Sequence, residues 1–130
     1  MNKLVIQPLL EKSLARQITF PEILSILTKE GVESYHVDFM RNECRYYAKD
    51  GASFSLDIPF EHHGVASRFS PETLDSVNQR VLAGQATFAD FVKEGCAAGC
   101  AYYIVYLNGR KVRYFGRNGD EHVQHFPSPK

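Results

Sequence analysis

The side chains that could do chemistry fall into three groups. Glu61, His62 and His63 are adjacent and could form a general acid–base or metal-binding cluster. In an extended segment, though, neighbouring side chains point apart, which favours a solvated polar linker. His122 and His125 are three apart, so on one strand they face opposite sides and read as surface or edge residues. Cys96 and Cys100 are four apart at a helix end, with Cys44 elsewhere. Their spacing matches no zinc pattern, so no metal and no cofactor is assigned. Three cysteines do not suit a disulfide framework. Cys44 and Cys100 align with Val112 and Val32 in the repeat described below and read as core residues; Cys96 aligns with Thr28 and reads as the most exposed thiol. A Gly-x-x-x-x-Gly-Lys-Ser/Thr phosphate loop, a Gly-x-Gly-x-x-Gly turn, His-Glu-x-x-His and Gly-x-Ser-x-Gly are all absent. No catalytic residue is assigned.

The elements that must position these groups are set by an internal duplication at an offset of 68 residues. Thr19-Phe20 recurs as Thr87-Phe88, Gly31 as Gly99, Tyr35 as Tyr103 and Val37 as Val105. Arg45-Tyr46 recurs as Arg113-Tyr114, Gly51 as Gly119 and Pro59 as Pro127. These are nine identities in 41 gapless positions, and they coincide with caps, turns and core sites. Each half reads as ααβββ. A helix over 5–16, with Pro8 in its first turn, is followed by one capped by Thr19 and Glu22 and stopped by Gly31. In the second half a helix runs from Ser70-Pro71 to about Ala83. The next is capped by Thr87 and Asp90 and stopped by Gly99, and both stop glycines should have positive φ. Asn108-Gly109 signals a type I′ hairpin, and Asp50-Gly51 and Asn118-Gly119 signal further tight turns. The fold class is therefore α+β: two ααβββ repeats about a pseudo-twofold axis, an antiparallel sheet packed with helices. We assign one domain, 1–130, with halves 1–59 and 69–127, a linker over 60–68 and a frayed tail.

The hairpin register predicts two sheet faces. Tyr35, Val37, Tyr46, Tyr103, Val105, Val112 and Tyr114 should pack on the helices, and Leu27, Phe20 and Phe88 should be buried with them. His36, Arg45, Tyr47, Ile104, Tyr106, Arg113 and Phe115 form the other face, joined by Phe54 and Leu56 if the Asp50-Gly51 turn has two residues. Aromatic and arginine side chains together favour an interface, so this face is the candidate partner-binding site.

The Thr-Phe-capped helix, the Gly-Val before Tyr-x-Val and the Tyr-Tyr-x-Lys-Asp-Gly run resemble the YbcV-like bacterial and prophage family, sometimes labelled phage envelope proteins. The resemblance implies no established activity, cofactor or catalytic residue. The pairs Arg45 with Tyr47 and Arg113 with Phe115, and the absence of catalytic motifs, favour a non-enzymatic role. The 130 residues carry 15 basic and 15 acidic side chains, so the surface lacks the excess positive charge of a general nucleic-acid binder. No run of 18 apolar residues or signal-like segment occurs, which points to a cytoplasmic protein without a membrane partner. The reading is a small binding or self-associating module, whose partner is a second copy or a phage or host protein. An enzyme with a site in the groove between the halves, or a nucleic-acid-binding module, is the alternative.

Overall fold

The computed structural model describes residues 1–59, 61 and 63–126. Helices α1 (Lys3–Ile6), α2 (Leu9–Leu14) and α3 (Phe20–Lys29) precede strands β1 (Val32–Asp38), β2 (Glu43–Ala48) and β3 (Ser53–Asp57). Helices α4 (Pro71–Leu82) and α5 (Phe88–Ala97) precede β4 (Cys100–Tyr106), β5 (Lys111–Gly116) and β6 (Glu121–His125). The six strands make one antiparallel sheet in the order β3-β2-β1-β4-β5-β6, so the fold is α+β.

Local sequence explains the helix ends. Thr19 and Thr87 each accept a bond from the backbone three residues on, while Glu22 and Asp90 reach back to the cap backbone. Ser70 caps α4 through Thr73 N at 3.3 Å. Gly31 and Gly99 end their helices at φ of 81° and 85°. The first helix departs from the single 5–16 segment. Pro8 lacks the donor that a continuous helix needs, so the chain breaks between α1 and α2, with Pro8 at the N-cap of α2.

The hairpin turns also differ from expectation. The strand ends Tyr106 and Lys111 pair, and the four residues between them close with Arg110 at φ 54°; Gly109 does not have positive φ. Phe39–Asn42 repeat this, with Asn42 at φ 58°. A four-residue loop keeps the parity of a two-residue one, so the register stands: Tyr103 opposite Tyr114, Val105 opposite Val112, Tyr35 opposite Tyr46. The turn at Asp50-Gly51 has three residues, closed by Gly51 at φ 91°, and this flips the parity of β3. Phe54 lies opposite Tyr46 and Leu56 opposite Cys44, so both belong to the helix-packed face and not to the open one.

The core lies between the sheet and the helices. Val37, Val105, Tyr46, Tyr114 and Leu27 are buried in it, while Phe20 and Phe88 are only half-buried at its rim, because each opens its helix at the edge of the core. The segment after β3 is not simply solvated. Val65 and Phe69 pack on the core, and Ala66 N and Ser70 N bond to the Cys96 and Ala98 carbonyls. Glu61 and His63 are exposed; His62 and the tail from 127 lie outside the described residues.

Positions 68 apart share backbone conformation. Arg16 and Gly84, Asn42 and Arg110, and Gly51 and Gly119 are all left-handed, and β1 and β4 each carry an irregularity near their start. At the centre of the sheet, His36 pairs across strands with Ile104, itself 68 residues on.

Candidate functional site

Burial alternates along β2, β5 and β6 and, past their irregular starts, along β1 and β4, and among the described residues the helices cover one face only. The other face is built of three rows of six residues, read across the sheet from β3 to β6. The first is Ser53, Tyr47, Ser34, Tyr106, Lys111 and His125. The second is Ser55, Arg45, His36, Ile104, Arg113 and Val123. The third is Asp57, Glu43, Asp38, Tyr102, Phe115 and Glu121. None of these residues is buried. The candidate residues His36, Arg45, Tyr47, Tyr106, Arg113 and Phe115 all stand here, together with Ile104.

Aromatic contacts stiffen the face. Tyr102 stacks on Phe115 with ring centroids 4.8 Å apart and planes at 19°. His36 lies 4.9 Å from the Tyr47 ring. Partial burial, then the neighbouring Arg45 charge, lower the His36 pKa against a smaller opposing pull from Asp38, so the ring is neutral at neutral pH. Arg113 pairs with Glu121, which holds the guanidinium more firmly charged. Its Nε is enclosed without a hydrogen-bond partner among the described residues. Arg41 reaches Glu43 at 3.2 Å. Asp38 accepts from Met40 N and Arg41 N, which fixes the loop after β1.

Sequence reasoning missed two features of this face. Tyr102 is 40% exposed and follows from the period-2 rule applied two residues before Ile104. The row of carboxylates at Asp38, Glu43 and Asp57 becomes visible only with the β2–β3 register, which the turn length controls.

The helix-covered side is a different environment. A cavity there is lined mainly by residues of the first half, among them Leu9, Leu10, Leu27, Tyr35, Cys44 and Tyr46, with Phe88 and Tyr103 from the second. Burial raises the phenols of Tyr35, Tyr46 and Tyr103 well above their ordinary pKa and pushes the Cys44 thiol up to about 12, with Glu43 adding to it. These groups stay protonated at neutral pH, so they supply neither base nor thiolate nucleophile. Cys96 is not the exposed thiol that its alignment with Thr28 suggests. The chain from Val65 to Phe69 covers that end of α5, and Cys96 is 2% exposed with its pKa raised by burial to about 11. His122 faces the helix side at the sheet edge and meets Asp75 at 2.8 Å; His125 faces the other way. Among the described residues, no three His, Cys, Asp or Glu side chains lie close enough together to hold a metal ion, and no helix is long and apolar enough to cross a membrane.

A family model described as "Protein of unknown function (DUF1398)" matches residues 54–124. No curated protein matches the chain.

Proposed function

Because the chain belongs to the DUF1398 family of proteins of unknown function, we propose its role from its surface: a non-enzymatic binding module working through the open face of the sheet. One observation carries this. Among the described residues, the five helices lie on one side, and the aromatic and arginine side chains of the other side have no cover. Exposed apolar and aromatic surface of this kind marks interaction sites on soluble domains. Arg45 and Arg113 flank the central His36–Ile104 pair in the middle row, where arginine offers a planar fork of donors beside aromatic rings. The apolar lining of the helix-side cavity, with its phenols and thiol held protonated by burial, supports binding over catalysis there.

The same proposal takes 1–130 as a single cytoplasmic domain of two ααβββ halves, 1–59 and 69–127, about a pseudo-twofold axis beside His36 and Ile104. The 68-residue offset in sequence and in left-handed positions supports it. The YbcV-like resemblance would place the chain in a bacterial or prophage setting. The test is the Arg45→Ala/Arg113→Ala protein beside the parent, in light scattering for self-association and in pull-down for partners. A folded double variant with unchanged association and capture would show the face to be inert.

A further inference from the structure

Resting on that reading of the open face, we propose that its occupant is a second copy of this chain. The two copies pack crosswise, so that the corner of each that carries Asp38, Glu43 and Asp57 meets the corner of the other that carries Lys111, with Glu43 over Lys111.

The argument starts from charge placement. The two rows occupy diagonally opposite corners of the face, one on the β1–β3 side and one on the β4–β6 side. Asp38, Glu43 and Asp57 stand 68 residues before Tyr106, Lys111 and His125, so the acidic corner on one half answers the corner carrying Lys111 on the other. Within one copy, Glu43 faces Asp57 on one side and Asp38 on the other. Like charges directly opposite are unfavourable, and among the described residues Arg41 pairs with Glu43, while no ion pair reaches Asp38 or Asp57. An external cation over the row relieves the rest.

Symmetry then selects the geometry. In a twofold dimer the contact is made twice, each copy giving what it receives. If the axis runs along the strands, the acidic row meets Tyr102, Phe115 and Glu121. If it runs straight across them, the acidic row meets Ser53, Tyr47 and Ser34. Only a diagonal axis brings acid to base, and it crosses the strands of the two copies near a right angle, one of the two usual sheet-on-sheet arrangements. Ile104 and His36 then lie near the axis and meet their counterparts. A foreign partner would have to reproduce this diagonal pattern; a second copy carries it by construction.

Size sets the strength. Six strands at ~4.8 Å spacing make a face about 29 Å wide, and strands of this length run about 20 Å. Crosswise overlap is therefore roughly 400 Å² of footprint per copy, about half that of a standard stable interface and in the range of weak, transient contacts. The dimer is weak, reversible and salt-sensitive.

The experiment is sedimentation equilibrium on the full chain: parent, Glu43→Lys, Lys111→Glu, and an equimolar mixture of the two variants, each checked for folding by circular dichroism. The parent should dimerise at low salt and dissociate near 1 M salt. Each variant alone should associate at least about tenfold more weakly. The mixture should recover parent-like association, because in the mixed dimer acid meets base at both contacts. A parent that stays monomeric at millimolar concentration overturns the proposal, as does a dimer indifferent to both charge reversals. Hydrogen exchange on the parent alone gives a second reading: dimerisation should protect β1, β2, β4 and β5. If the parent is monomeric yet the face captures another protein, the occupant is wrong and the binding face stands. If dimerisation protects the helices and ignores Arg45→Ala/Arg113→Ala, both fail.

Discussion

At the scale of single residues, two glycines with one backbone conformation have different neighbours. Gly31 has φ 81° and open space where a Cβ would stand, so Gly31→Ala should cost only the conformational penalty, about 1 kcal/mol. Gly99 has φ 85°, but a Cβ there would collide with the Arg68 carbonyl oxygen and come within 2.9 Å of the Phe69 Cα. Gly99→Ala should therefore cost ~3 kcal/mol or more, and equal denaturant midpoints for the two variants would mean that the 68–69 segment does not press on β4. The requirement for glycine was legible in the sequence because helix termination is local; the collision was not, because it comes from a segment about 30 positions away. The thiols teach the same lesson. Cys44, Cys96 and Cys100 are all buried, with pKa values pushed by burial to about 12, 11 and 12. A thiol reagent at neutral pH should label the folded protein no faster than it unfolds. Asp90 gives a pH signature. Hydrogen bonds from Thr87, backbone first, lower its folded pKa, with Arg16 and Arg80 contributing less. A lowered folded pKa stabilises above the unfolded value near ~3.9, and that stability is lost as pH falls through the folded pKa. Asp90→Ala should cost about 1 kcal/mol at pH 7, by urea unfolding, and the gap to the parent should narrow as pH falls below 4.

At the scale of elements, parity decides which side chains are structural. The four-residue loops after β1 and β4 preserve the faces expected of a two-residue turn, so the positions of Arg45, Tyr47, Arg113 and Phe115 were readable from alternation. The three-residue turn closed by Gly51 inverts β3, and nothing in Asp50-Gly51 distinguishes a turn of two residues from one of three. The result is testable. Phe54 packs 5.3 Å from the Tyr46 ring, so Phe54→Ala should destabilise by about 2 kcal/mol, whereas Tyr102→Ala on the open face should change the urea midpoint little. The opposite ranking would return Phe54 to the open face. The break at Pro8 was legible only in part: proline marks a helix start as readily as a helix interruption, and the four residues of α1 before it settle which one this chain uses.

At the scale of the whole molecule, the order of the strands was the least legible feature. Every strand pair but one is a hairpin between sequence neighbours; the exception, β1 with β4, is the central seam. Hairpin pairs are announced by their turns, but nothing local says that β1 must meet β4 or that His36 must face Ile104. That seam also governs how fast the molecule can assemble. Its partners are about 70 residues apart, so among the strand pairs it closes by far the largest loop, while the hairpins on either side close small ones. Each three-strand meander can zip early on local contacts; joining them should be the slow step, with β1 and β4 docked at the barrier and the outer strands still loose. Val37→Ala and Val105→Ala should each cost a few kcal/mol and appear mainly as slower refolding in a chevron plot. Phe54→Ala on the edge strand should leave the refolding limb near the parent's and raise the unfolding limb. On that expectation the centre of the sheet sets how fast the chain folds, and its rim sets how long the folded state lasts.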